Sequence, residues 1–264
     1  MPSSSPIGIF DSGVGGLSVL RHIRERLPSE EIIYVADRGY MPYGERSVEE
    51  VAARSIQIVE FLLTQSVKAI VVACNTATAA AVSILRENYA LPIVGMEPGI
   101  KPAIAQSKSG HVGVLATEGT LLSEKFRALL DRYNDGCQIH VQACPDWVEH
   151  IEQGLSGQPS EPVVHRHLAP LLAKEVDSLV LGCTHYPFLR EAIQQMAGDQ
   201  VSVIETGQPV ARQLYRRLDE LDLLNDSGCS GTEQFWGSGS TTELQQLVAK
   251  LWGESPAINP LPEV

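Results

Sequence analysis

Short apolar, β-branched runs alternate along this chain with longer segments in which apolar residues recur every three or four positions. The first kind reads as strands buried on both faces and the second as helices packed against them. That alternation predicts a parallel α/β architecture. In the first half the strand candidates are PIGIF (6–10), EIIYVAD (31–37), KAIVVAC (68–74) and LPIVGM (91–96). Helical period marks GLSVLRHIRERL, SVEEVAARSIQIVEFLLTQ and TATAAAVSILRENY between them. The first of these ends at Pro28, and Ser47 with Glu50 three residues on forms a capping box for the second.

The second half repeats the order. HVGVLAT (111–117) precedes a helix expected over 121–132, then comes QIHVQAC (138–144), a further helical region, SLVLGC (178–183), a helix near 189–196 and VSVIET (201–206). VKAIVVACNT aligns without gaps on VDSLVLGCTH, and IGIFDS on VGVLAT, at closely similar offsets. This is a sign of internal duplication, and it predicts two similar doubly wound α/β domains with parallel sheets. Facing each other, such units would set the two third-strand cysteines on opposite walls of one cleft, which would be the active site. Beyond them, 208–224 reads as a helix, NDSGCSG as a surface loop, TEQFWGS as a strand and 242–252 as a last helix. The tail ESPAINPLPEV carries three prolines and is expected to be irregular. Periodicity does not say to which unit this C-terminal part belongs.

With 264 residues, 44% hydrophobic and 20% charged, the chain has the composition of a globular protein of one or two domains. Its net charge of −12 disfavours nucleic acid and anionic membrane as partners. A small anionic substrate remains compatible, because backbone N–H groups can make a local pocket positive. MPSSSPIGIFDSG lacks the basic start and apolar stretch of a signal peptide, and no apolar run approaches the roughly 18 residues of a membrane span; the expected location is cytoplasmic. The five cysteines include no C-x-x-C pair, so neither a disulfide framework nor a zinc ribbon is indicated. Cys137, His140 and Cys144 lie close in sequence, but their spacing fits no common metal site.

Residues at the C-terminal ends of parallel strands face the crevice where open α/β sheets bind ligands. That rule selects Asp11 and Ser12, then Asp37, then Cys74, Asn75 and Thr76, and in the second half Cys183, Thr184 and His185. Any one of these alone reads most simply as a turn residue or helix cap. Two cysteines in matching places, each followed by donors, change that balance. CNTATAAA and CTHYPFL each begin the turn into a following helix, whose positive end favours a thiolate. The neighbouring amide, hydroxyl and N–H groups would hold carboxylate oxygens. His185 could accept or return a proton near neutral pH, whereas spacing does not choose between Glu149 and Glu152 as its partner. FDSGVGGLSVL has the spacing G-x-G-G rather than a dinucleotide or phosphate-loop fingerprint, and Asp11 would repel a phosphate; its glycines fit a tight turn with close substrate approach. In MPYGERS, the backbone of Tyr43 and Gly44 would line the crevice.

Taken together, GIFDSGVGGLSVL (8–20), PYGERS (42–47), VVACNTATAAA (71–81), GMEPG (95–99), CPDWVEHIEQG (144–154) and LGCTHYPFL (181–189) resemble the glutamate racemases of the cofactor-independent aspartate/glutamate racemase superfamily. The resemblance implies that Cys74 and Cys183 are the two acid/base residues, on opposite faces of the substrate Cα. It implies Asp11 and His185 as their assistants, and Glu152 as helper of the histidine. Asp11, Ser12, Tyr43, Gly44, Asn75, Thr76, Thr184 and His185 match substrate-contact positions. It further implies racemisation of glutamate without cofactor or metal, in supply of D-glutamate for peptidoglycan, with a homodimer as the common assembly. The C-terminal segment is expected to return to the first unit, giving domains of 1–97 with 207–264 and of 98–206. Aspartate, one methylene shorter, is the alternative substrate, and only the full motif set favours glutamate. Glu205-Thr206 stands where many relatives read Asp-Ser, so no substrate contact is assigned there.

Overall fold

The computed structural model describes residues 3–133, 136–155 and 160–262. The chain begins with β1 (Ile7–Asp11), α1 (Leu17–Arg26), β2 (Ile32–Ala36), α2 (Val48–Thr64), β3 (Ala69–Val72), α3 (Asn75–Asn88) and β4 (Ile93–Gly95). Then follow α4 (Ile100–Gln106), β5 (His111–Ala116), α5 (Glu118–Leu122), α6 (Glu124–Arg132), β6 (Gln138–Ala143), α7 (Pro145–Glu152), α8 (Ser160–Leu172), β7 (Ser178–Leu181), α9 (Arg190–Ala197) and β8 (Ser202–Ile204). The last stretch supplies α10 (Gly207–Asp219), β9 (Glu233–Gly237), α11 (Thr241–Trp252) and β10 (Ile258–Pro260). Two compact units result, one of 1–96 with 207–264 and one of 97–206.

The first unit holds a six-stranded parallel sheet in the order β10-β9-β2-β1-β3-β4. The expected capping box is present: Glu50 N–H donates to Ser47 Oγ, and Ser47 N–H donates back to Glu50 Oε2 at 3.0 Å. Strands β1 and β3 are buried throughout, as runs of β-branched residues covered by helices on both faces must be. α10 packs closely on α1, for a Cβ added at Gly207 would lie 2.4 Å from the His22 ring. The tail differs from the irregular segment its prolines predict. β10 pairs in parallel with β9 at the sheet edge, and Leu261 is buried in the core. Proline is tolerated there because an edge strand leaves one row of N–H groups unpaired.

The second unit holds a four-stranded parallel sheet in the order β6-β5-β7-β8. Both sheets therefore contain the same core arrangement, with the first strand between the second and third and the fourth outside the third. The two units are thus alike, as the internal alignment predicts. The helix expected over 121–132 is instead two. Ser123 Oγ accepts from Phe126 N–H at 3.1 Å while Ser123 N–H donates to Thr120, so the serine ends one helix and caps the next. Among the described residues no helix is long and apolar enough to cross a membrane.

Candidate active-site residues

In the first unit the chain leaves β1 toward β2 on one side and later reaches β3 on the other. Between β1 and β3 the strand order reverses, which is where an open α/β sheet leaves a crevice at its carboxyl edge. Asp11 ends β1 and is fully buried; Ser12 Oγ donates to its Oδ1 at 3.0 Å. Cys74 follows β3, and its thiol faces Ser12 Oγ across 3.8 Å. The glycine-rich turn makes room for this arrangement, since a Cβ at Gly16 would sit 2.9 Å from the Asp11 Cβ and 2.8 Å from the Tyr34 hydroxyl.

Cys74 is the N-cap of α3, with extended backbone at φ −136° and ψ 125°, and Ala77 N–H donates to its sulfur at 3.4 Å. A helix N-terminus thus presents both a donor and the positive end of its dipole to the sulfur, where negative charge is stabilised. Asn75 is buried, at 6% exposure, and among the described residues neither its amide oxygen nor its amide nitrogen has a hydrogen-bond partner. A buried amide in that state costs about 1–3 kcal/mol, and the expense is characteristic of a group reserved for a ligand. Thr76 is half-buried beside it. Tyr43 is buried and donates to Asp37 Oδ2 at 2.6 Å, with Gly44 half-buried next in the chain. Burial, then the Asp37 carboxylate and the nearby Cys74 sulfur, hold the Tyr43 phenol far above its ordinary pKa, so it stays neutral.

In the second unit Cys183 follows β7, the counterpart of β3. Here the structure departs from the expected helix start: the segment enters a 3-10 turn over Tyr186–Leu189, and α9 begins only at Arg190. The sulfur's neighbour is instead the His185 ring, with Nδ1 at 3.7 Å, and His185 Nε2 lies 2.8 Å from Glu152 Oε1. His185 and Glu152 are both buried, at 2% and 6% exposure. Burial alone depresses the imidazole's pKa, but hydrogen bonds to Cys183 and Glu152 and the negative charge of both outweigh it, so the net shift is well upward. Spacing alone does not choose between Glu149 and Glu152. The structure turns Glu152 to His185 and gives Glu149 to the exposed amide of Gln153 at 3.0 Å.

α7, which carries Glu152, is anchored by Trp147. Its indole N–H donates to Val163 O at 3.0 Å, and its ring meets Tyr186 edge-on with centroids 4.8 Å apart. Tyr186 in turn donates to Cys144 O at 3.0 Å. Thr184 is buried between the cysteine and the histidine in sequence. Burial chiefly, and then Asp146 and Cys183, push the Cys144 thiol upward, so it is a neutral buried thiol. Among the described residues no group of three or more His, Cys, Asp or Glu side chains is placed to hold a metal ion.

One group escaped the sequence reading: Arg54 of α2 and Ser238 after β9, both bonded to Asp37. Its signal was present for Arg54, a charged residue set among Val51, Ser55, Ile58 and Leu62 on the buried stripe of α2. A buried arginine requires a buried anion. Ser238 left no such trace.

Comparison with known proteins bears on the family and the fold. Residues 7–214 match the family model described as Asp/Glu/hydantoin racemase. The glutamate racemase of Methylococcus capsulatus is 51% identical over 258 residues, covering 97% of this chain and 95% of that one. The structure of glutamate racemase isoform RacE1 from Bacillus anthracis superposes with a TM-score of 0.90 at 35% identity, over 98% of both chains. That of the Francisella tularensis glutamate racemase in complex with D-glutamate gives 0.84 at 31% identity, also over 98% of both.

Proposed function

The chain belongs to the Asp/Glu/hydantoin racemase family, and on that premise we propose that it interconverts L- and D-glutamate without a cofactor, using two cysteines as bases. The observation that carries this reading is the matched pair of strand-end sulfurs, Cys74 after β3 and Cys183 after β7, each with its own buried polar support. The α proton of an amino acid is very weakly acidic. A thiolate removes it only where the developing negative charge is met by donors already in place. Inversion needs removal from one face and delivery to the other; a single base would tend to return the proton to the face it came from.

Cys74 deprotonates D-glutamate and Cys183 deprotonates L-glutamate. Each sulfur is the acid when the other is the base. The Ala77 N–H and the Ser12–Asp11 pair support Cys74, while His185, steadied by Glu152, supports Cys183. Asn75, Thr76 and Thr184, with the backbone of Tyr43 and Gly44, hold the carboxylates. The same proposal assigns the D-glutamate product to bacterial cell-wall synthesis, with the enzyme in the cytoplasm as a homodimer.

L-Glutamate incubated with the purified protein and no additive is expected to lose its circular dichroism and reach equal amounts of both enantiomers on a chiral column. A signal that persists overturns the reading. Aspartate run in parallel should turn over more slowly, by roughly tenfold or more for the missing methylene. Equal or faster turnover would move the assignment to aspartate.

Asn75 separates binding from folding. Asn75→Ala removes an unpartnered buried amide, so melting temperature is expected to hold or rise, while KM for glutamate climbs at least about tenfold through the lost charge-assisted bonds. An unchanged KM would show that Asn75 holds no part of the substrate.

A further inference from the structure

The loop over residues 38–46 joins β2 to α2 and carries Tyr43 and Gly44. Of its nine residues Tyr43 alone is buried, so apolar packing cannot account for its shape. Polar tethers do. Asp37, fully buried at the loop's start, accepts from Arg54 Nε at 2.9 Å and Tyr43 Oη at 2.6 Å on one oxygen. Its other oxygen accepts from Arg54 Nη2 at 2.7 Å and Ser238 Oγ at 2.7 Å. A carboxylate offers about four acceptor sites, and here all are taken. Asp37 therefore has no lone pair left to remove a proton or to hold a substrate ammonium group.

The same donors continue into the loop. Gly39 N–H donates to Ser238 Oγ at 2.8 Å, and the Arg54 guanidinium lies 4.1 Å over the Tyr40 ring. Tyr43 shares a buried cluster with Cys74 and Ala77, and its turn packs on α3. A buried ion pair adds little net stability compared with apolar residues of the same volume. Geometry is what it supplies.

We propose that Asp37, with Arg54 and Ser238, is the positioning clamp of the substrate loop, holding Tyr43 beside Cys74 and the Tyr43–Gly44 backbone in its binding position. This rests on the glutamate reading above. The clamp acts through the loop, on ground state and transition state alike, so its loss appears in KM and not in kcat.

The test is Ser238→Ala beside the conservative Ser238→Thr, with Asp37→Asn as the stronger lesion should it fold. In the full-length protein Ser238→Ala is expected to raise KM for glutamate by about five- to tenfold with kcat within about twofold, and to speed amide hydrogen exchange over residues 38–46. Ser238→Thr, which keeps the hydroxyl, should restore both. An unchanged KM, a fall in kcat at constant KM, or equal damage from alanine and threonine would overturn the clamp. Absence of turnover by the unaltered protein would remove the glutamate reading. The exchange measurement would still judge the clamp: unaltered exchange in Ser238→Ala overturns it, and faster exchange reversed by threonine supports it.

Discussion

Cys74→Ala and Cys183→Ala are each expected to lower racemisation of glutamate by at least about a thousandfold, within the range that a positioned acid or base contributes. The loss must be the same in both directions. The substrates are mirror images with an equilibrium constant of one, so kcat/KM for L and D stay equal in any variant. What distinguishes the two variants is exchange. In deuterated water Cys74→Ala keeps the base proposed for L-glutamate, so slow wash-in of deuterium into L-glutamate should persist without inversion. Cys183→Ala should show the converse with D-glutamate. Mass spectrometry after chiral separation reads both. Either variant racemising at the unaltered rate would end the two-cysteine mechanism. Exchange assigned to the opposite enantiomers would reverse the roles of the two sulfurs.

Glu152→Gln is expected to cost both activity and stability. Glu152 Oε1 lies 2.8 Å from His185 Nε2 with both side chains buried. Removing its charge leaves a buried imidazolium without its anion, a lesion of about 3–5 kcal/mol for pairs of this kind. The pKa of His185 is raised by folding, so its contribution is fully present below about pH 6.5, the value for a free imidazole, and is lost as pH rises through the elevated folded value. The unaltered protein should therefore lose stability on the alkaline side, and Glu152→Gln should flatten that slope by lowering the folded value toward the free one. kcat should fall about a hundredfold, the lower end of acid–base contributions. Urea midpoints across pH, with kcat at each, would check this; a variant that keeps both the slope and the rate would show that Glu152 does not govern the histidine.

Much of this was legible in the residues. Apolar runs with β-branched residues mark β1, β3, β5 and β7 because a strand covered on both faces keeps polar residues to its ends. Ser47 and Glu50 announce α2 by a local bond that needs no tertiary context. What stayed hidden depends on partners distant in the chain. The choice of Glu152 over Glu149 turns on which face of α7 meets His185, and both lie within one helical turn. The 3-10 turn after Cys183 departs from the helix start that its likeness to the Cys74 segment suggested. Proline content made 254–264 read as irregular, yet β10 needs only an edge position and a place for Leu261. Ser238 meets Asp37 through a separation of 201 residues, beyond any motif.

The first unit is assembled from two stretches of chain with the whole second unit threaded between them. Strand β9 lies against β2, and β10 closes the edge beside it, so the six-stranded sheet cannot be finished until Ile258–Pro260 has been synthesised. The inserted unit is continuous in the chain, from 97 to 206. On a ribosome the order of maturation follows: the Cys183 half can fold while the Cys74 half still waits for its outer strands, and a nascent chain stalled short of residue 233 would carry β2 as an uncovered, aggregation-prone edge.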